Sequence, residues 1–81
     1  MKIIVLFFAS VADKAGTSRW TTSLSDGSTI EDVKKILVEN FPNITDILPI
    51  CHVAVNREYV LANQVLNTSD EIAFFPPVSG G

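Results

Sequence analysis

The sequence predicts a small α+β domain in which one main helix covers one face of a mixed β-sheet, followed by an extended tail. Two observations lead to this class. β-branched and aromatic residues dominate both ends of the 81-residue chain, as is typical of strands. Between positions 30 and 41, apolar residues instead recur at helical spacing. A chain of this length supports one domain, which we assign to residues 1–75, with a flexible Gly-Gly tail at 76–81.

The first half of the chain begins with a strand expected at Lys2–Phe8, which has apolar side chains on both faces. Residues 10–16 predict a short helical turn that Gly16 closes. Residues 19–24 alternate around Trp20 and predict a second strand, paired with the first. Asp26-Gly27 predicts a turn before the main helix.

The main helix is expected to begin at Ser28 or Thr29. Ser28 fits the capping-box spacing with Glu31, and Thr29 offers a near equivalent with Asp32. Pro42 ends the helix, because the residue before a proline avoids α geometry. The buried stripe of the helix consists of apolar residues at three- and four-residue intervals: Ile30, Val33, Leu37 and Phe41.

The second half predicts three short strands after a loop at 43–50 that has room for one helical turn. These strands are expected at 52–55, 59–61 and 71–75, with turns at 56–58 and 66–70. Pro76-Pro77 stops the last strand, since proline cannot donate a ladder hydrogen bond. The predicted order is therefore β-β-α-β-β-β.

Strand alternation predicts an exposed apolar patch on the sheet. Lys2 points to water, so the residues on its side of the first strand also face away from the helix. Phe75 is left outside in the same way when Phe74 faces the core. The patch comprises Ile4, Leu6, Phe8 and Phe75, and such patches usually mark an interface. The alternative is that the loop at 42–50 folds over it.

Composition excludes several classes of function. Nine acidic residues outnumber six scattered basic ones, so no basic patch favours a nucleic-acid partner. A single cysteine, Cys51, and a single histidine, His52, predict no internal disulfide and no metal site, and a reducing cytoplasm is expected. The apolar run at 3–9 imitates a secretory signal but is far too short to span a membrane, and we interpret it as strand one.

The last ten residues carry the most functional information. Positions 72–81 contain no charged side chain and end on Gly80-Gly81, a pair expected by chance in about one chain in 200. Pro76 and Pro77 stiffen the base of the tail, while Val78 and Ser79 are small. Such a tail can enter a narrow channel and deliver the Gly81 carboxylate to the active site of another protein. A frayed, functionless terminus is the alternative.

Two segments resemble the small subunit of molybdopterin synthase, a ubiquitin-like β-grasp sulfur carrier. They are residues 5–9, Val-Leu-Phe-Phe-Ala, and residues 70–81, Asp-Glu-Ile-Ala-Phe-Phe-Pro-Pro-Val-Ser-Gly-Gly. Val55-Asn56 is similar too, and the length and element order match throughout. The chain departs at Ser69, where a turn glycine is expected, and at Ser79, where threonine is common.

The resemblance implies both chemistry and partners. A ubiquitin-activating-like adenylyltransferase would use ATP to adenylate Gly81, and sulfur would then replace the adenylate to leave a thiocarboxylate. The tail would enter the large subunit of molybdopterin synthase and donate sulfur to cyclic pyranopterin monophosphate, which builds the dithiolene. The chain itself would bind no cofactor and would not be an enzyme alone. The resemblance also places Phe8, Tyr59 and Phe75 at the subunit interface.

Other residues and other functions remain open. Cys51 is interpreted as a small core residue rather than a persulfide carrier, because a strand neighbour such as His52 points to the opposite face. Trp20 either marks a binding face or packs across strands with its neighbours, and both alternatives stay open. The Lys34-Lys35 pair is interpreted as the solvated face of the helix. Two other functions compete: a carrier for thiamine synthesis or tRNA thiolation, and a ubiquitin-like binding module or protein modifier.

Overall fold

The computed structural model describes residues 1–77 and confirms the α+β class. Within these residues the strands are β1 (Lys2–Phe7), β2 (Arg19–Ser23), β3 (His52–Val55), β4 (Glu58–Val60) and β5 (Glu71–Phe75). The helices are α1 (Ala9–Ala15) and α2 (Ile30–Asn40), and short 3₁₀ turns lie at Pro42–Ile44 and Leu48–Ile50.

The described strands form one mixed sheet in the order β2-β1-β5-β3-β4. The two ends of the chain meet at its centre, where β1 and β5 run parallel with Val5 opposite Ile72. The other neighbouring pairs are antiparallel. The short strand β4 is therefore at a free edge, next to β3.

The N-terminus of α2 is capped by Thr29. The Thr29 hydroxyl accepts the Asp32 backbone N–H at 3.4 Å, and the Asp32 carboxylate accepts the Thr29 N–H at 2.9 Å. Ser28 instead donates its hydroxyl to the Ser25 carbonyl at 2.8 Å, so the Ser28 alternative is wrong. The helix ends before Pro42, as predicted.

Three predicted strands differ from the structure by a residue at one or both ends. β1 ends at Phe7 and β2 at Ser23, whereas β4 spans Glu58–Val60 instead of residues 59–61. The shift of β4 follows from a tight turn in which Asn56 and Arg57 have φ values of 50° and 72°. Two successive positive φ values are typical of a type I′ turn, which returns the chain to the sheet at once.

The core lies between α2 and one face of the sheet. Ile3, Val5 and Phe7 are fully or almost fully buried there, together with the stripe residues Ile30, Val33 and Leu37. Ile44 and Leu48 of the 42–50 loop belong to the same cluster. The loop thus packs on the helix side of the sheet and leaves the other face open.

A buried carboxylate joins the β3–β4 turn to β5. Asp70 is 8% exposed, and among residues 1–77 it is the one charged side chain in the buried class. Its carboxylate accepts the side-chain amide of Asn56 and the backbone N–H of Asn67, each at 2.8 Å. Asn56 in turn accepts the Glu71 N–H at 3.0 Å. Sequence reasoning placed Asp70 in a turn and missed this network.

Candidate docking face

The face of the sheet opposite α2 is open over residues 1–77. Alternation along β1 buries Ile3, Val5 and Phe7 and leaves the other side chains of the strand partly exposed. Strand β5 repeats the pattern, since Phe74 is fully buried and Phe75 is half-buried. The prediction that Phe7 and Phe74 face the core while Phe8 and Phe75 face away from the helix is therefore confirmed.

Four aromatic side chains form a continuous row on this open face. Phe8 and Phe75 are stacked with ring centroids 4.4 Å apart. Tyr59 lies 5.9 Å from Phe75, and His52 lies 6.5 Å from Tyr59. We call Phe8, Phe75, Tyr59 and His52 the aromatic row. Aromatic pairs of this geometry contribute about 0.5–1.5 kcal/mol each beyond the burial of their area.

Small side chains occupy the centre of the open face. Leu6 lies opposite Ala73, Ala73 opposite Ala54, and Ala54 opposite Tyr59. The two alanines are only 7% and 4% exposed although α2 lies on the other side. Larger neighbouring side chains therefore shield the two alanines from solvent on the open face.

The backbone around Phe8 explains how it joins the row. Phe8 is extended, with φ −119° and ψ 148°, and its N–H donates to the Phe74 carbonyl at 3.2 Å. Ala9 then takes a left-handed conformation with φ 51°, which turns the chain into α1. Phe8 consequently remains on the open face beside β5 while the chain leaves the sheet.

The C-terminal segment continues from β5 next to the row. Pro76 is half-buried and Pro77 is exposed. The predicted roles of Val78, Ser79, Gly80 and Gly81 fall on residues outside the described range. They stay predictions, as do the interface roles of Phe8, Tyr59, Phe75, Pro76 and Pro77.

Comparison with known proteins identifies the family. The model of the ThiS family matches residues 5–81. The chain belongs to the ThiS family. A molybdopterin synthase sulfur carrier subunit of Chlamydomonas reinhardtii is 36% identical, with all of both chains covered. The human protein of that name is 35% identical over 99% of this chain and 94% of its own.

Solved structures extend the likeness to the fold. SAMP1 from Haloferax volcanii superposes with a TM-score of 0.88 at 26% identity, covering all of both chains. The complex of subunits 1 and 2 of the molybdopterin-converting factor from Helicobacter pylori contains a chain with a TM-score of 0.75, also 26% identical and fully covered. This ThiS-family chain thus has the ubiquitin-like β-grasp fold.

Cys51 and His52 of this ThiS-family protein lie in different surroundings, as predicted. The half-buried Cys51 thiol donates to the Ile47 carbonyl at 3.2 Å and packs against the core. Burial raises the pKa of this thiol, which lowers its thiolate fraction at neutral pH. His52 instead lies on the aromatic row. The two side chains therefore form no thiol–imidazole pair.

The remaining candidates are structural. Trp20 packs edge-to-face on Phe41 with ring centroids 5.2 Å apart, and the Lys34 Nζ lies 3.5 Å from the Glu31 carboxylate along α2.

A hollow of about 650 Å³ opens on the α2 side of the sheet, away from the aromatic row. It is lined by Lys34, Leu48 and their neighbours. Among residues 1–77 no three His, Cys, Asp or Glu side chains are grouped to hold a metal. In the same range no helix is both long and apolar enough to cross a membrane.

Proposed function

We propose that this ThiS-family chain is the sulfur carrier subunit of a cytoplasmic molybdopterin synthase. In this role the Gly81 carboxylate is converted to a thiocarboxylate that donates sulfur to cyclic pyranopterin monophosphate. The observation that carries the proposal is the match to curated carriers of that name along the full length of both chains. The open aromatic row beside the C-terminal segment supports it, because the row offers a docking face next to the tail.

The chemistry begins with an ionised carboxylate, since a terminal carboxyl has a pKa of ~3.5. The Gly81 carboxylate attacks the α-phosphate of ATP on a ubiquitin-activating-like enzyme, and pyrophosphate leaves. A sulfur nucleophile then displaces AMP from the acyl adenylate and leaves the thiocarboxylate. Two successive donations supply the two sulfurs of the dithiolene. After each donation water cleaves the acyl–sulfur bond, which leaves the sulfur on the substrate and returns Gly81 as a carboxylate. Gly80, Ser79 and Val78 keep the tail narrow.

The large subunit is the proposed docking partner. It would cover the aromatic row, with Phe8, Tyr59 and Phe75 as the central contacts, and would receive the tail from Pro76 onward. Aromatic residues at the centre of an interface commonly carry most of its binding energy. The substrate pocket and acid–base residues would belong to the large subunit. The Helicobacter pylori complex of two subunits is consistent with such a pairing.

Intact-mass spectrometry tests the carrier chemistry. The protein is incubated with the activating enzyme, ATP and a sulfur donor. We expect a mass gain equal to one sulfur in place of one oxygen, located on Gly81 by fragmentation. Deletion of Gly81 is expected to abolish the gain. An unmodified terminus, under conditions in which the enzyme activates another carrier, would contradict the proposal.

Docking is tested separately with Phe75→Asp. A carboxylate at the centre of an apolar interface remains unpaired and desolvated, so we expect binding of the large subunit to weaken at least tenfold. Thermal unfolding should change little relative to this loss, because Phe75 is only half-buried. Val65→Asp, at an exposed apolar residue outside the row, is the matched control. Copurification of Phe75→Asp with the large subunit at the wild-type level would contradict the assigned face.

A protein modifier is the second candidate. It is favoured by the likeness to SAMP1, whose name stands for small archaeal modifier protein 1. A modifier would join Gly81 to a substrate lysine through an isopeptide bond, whereas a carrier leaves a free thiocarboxylate. Digestion of cell extract followed by mass spectrometry distinguishes the two. Peptides with a lysine joined by an isopeptide bond to a C-terminal peptide of this chain that ends at Gly81 would support the modifier, and a thiocarboxylate on Gly81 without such links would support the carrier.

A further inference from the structure

A small hollow lies beside the aromatic row at the free edge of the sheet. Its volume is about 300 Å³, and it is lined by His52, Val53, Tyr59, Val60 and Leu61. It is bounded on one side by β4, which has no further strand beyond it in the described sheet. The sequence predicted a strand at residues 59–61, and the resemblance gave Tyr59 an interface role but gave Leu61 none.

Leu61 is the unexplained feature of the hollow. The residue is 101% exposed, more than any other large hydrophobic residue in the exposed class over residues 1–77. Tyr59, two residues earlier, is 71% exposed. Tyr59 lies in β4 and Leu61 directly follows the end of that strand, and both residues line the hollow. The free protein thus presents an exposed aromatic residue and an exposed aliphatic residue to water in the lining of one hollow.

The hollow is continuous with the aromatic row. Tyr59 belongs to both features, and His52 links them again because it lies opposite Phe75 across the β3–β5 ladder. A partner surface that covers Phe75 and Tyr59 therefore reaches the rim of the hollow. This continuity favours one partner for both features, the molecule proposed to dock on the row.

The volume of the hollow and its lining residues indicate which kind of chemical group can bind in it. Cofactor and drug-sized ligands occupy pockets of roughly 300–1,000 Å³ that enclose most of their surface. This hollow lies at the lower limit of that range and is open at the sheet edge. Its lining residues are valine, leucine and tyrosine apart from one imidazole. A single apolar side chain fits this lining better than a charged group, which would lose hydration without a fixed opposite charge.

We propose that the hollow receives one apolar side chain of the large synthase subunit and that Leu61 closes over it. This proposal rests on the proposed function, since it takes the large subunit as the docking partner. Burying a leucine that was fully exposed is a large contribution for one side chain, and replacing it should weaken binding about tenfold or more. Leu61 would then determine how tightly the partner is held at the edge of the sheet, separately from the aromatic row.

Paired charge substitutions test the apolar assignment. Leu61→Asp and Leu61→Lys are each titrated by calorimetry against the purified large subunit from the same organism. Both are expected to weaken binding about tenfold, because either charge would be desolvated without a partner. Val65→Asp and Val65→Lys introduce the same charges at an apolar residue that is 59% exposed and pairs with Thr29 at the start of α2. These controls are expected to bind within about twofold of the wild type.

Each other outcome has a definite meaning. Wild-type affinity in both Leu61 variants would overturn the proposal, and tighter binding by one of them would show that the hollow faces a charge. Equal losses of affinity in the Val65 controls would show that the change in net charge alone weakens binding, and this result would also overturn the proposal. A dimer of the free protein that Leu61→Asp dissociates, seen by sedimentation, would assign the hollow to a second copy. If the wild-type protein fails to bind the large subunit at all, the proposed function fails instead.

Discussion

Ser69 adopts a left-handed backbone conformation, with φ 70°, immediately before the buried Asp70. A side chain in this region costs about 1–2 kcal/mol, whereas glycine adopts it freely. The resemblance to the synthase small subunit placed a glycine here, and the geometry of the turn explains the expectation. The chain thus keeps a glycine-type turn without the glycine. Ala9 shows a similar conformation that no pattern in the sequence predicted, and it directly follows Phe8, which is stacked on Phe75 of β5.

Ser69→Gly is therefore expected to stabilise the protein. The relief of backbone strain exceeds the added entropy of the unfolded chain, which leaves a net gain of about 0.5–1 kcal/mol in the free energy of unfolding. Thermal unfolding should show a rise of several degrees, since ~1 kcal/mol corresponds to about 4–8 °C in a domain of this size. Thr68→Gly is the control, because Thr68 is not among the residues with positive φ and should be destabilised. A lower melting temperature for Ser69→Gly would contradict the account.

At the scale of elements, the start of α2 shows what a pattern leaves undecided. Ser28 and Thr29 both fit a capping box, and the hydrogen bonds select Thr29. Thr29→Ala should lower the free energy of unfolding by about 1 kcal/mol, because it leaves a helix N–H without its acceptor. Ser28→Ala should have a smaller effect, since Ser28 bonds outside the helix. Urea denaturation of the two variants measures the difference, and equal losses would contradict the assigned cap.

The same cap predicts an acid-dependent stability. The Thr29 backbone N–H, followed by its hydroxyl, donates to Asp32 and lowers the pKa of that carboxyl. The pKa of Asp32 in the folded state therefore lies below its unfolded value of ~3.9. The stability that the ionised carboxylate adds is fully present above the unfolded pKa and is lost as pH falls through the folded pKa. Asp32→Asn should therefore flatten the fall of stability with decreasing pH below about 5. Glu39→Gln, at an exposed carboxyl on the same helix, is the control, and an unchanged slope in Asp32→Asn would contradict the assignment.

In the whole molecule one face of the sheet is covered and the other is open. The neighbouring residues Phe74 and Phe75 lie on opposite faces, so substituting each one tests a different face. Phe74 is fully buried in the core, whereas Phe75 lies on the aromatic row. Phe74→Ala is expected to cost about 3–5 kcal/mol in the free energy of unfolding, much of the 5–15 kcal/mol typical of a domain. Phe75→Ala should cost clearly less and should instead weaken docking of the large subunit. Urea denaturation and calorimetric titration measure the two effects, and a larger stability loss at Phe75 would contradict this division.

The sequence by itself determined the α+β class, the order of the strands and the main helix, and the two faces of the outer strands, because periods of 2 and 3.6 residues specify which side chains are buried. It also predicted that Phe8 and Phe75 share a face. Tertiary structure decided the sheet order that stacks them, the choice of Thr29 as cap, and the Asn56–Asp70 hydrogen bond. It likewise placed Leu61 beside Tyr59 and His52 at a free edge. These features join residues that lie far apart in the chain or compete locally, and local periodicity contains no information about such pairings.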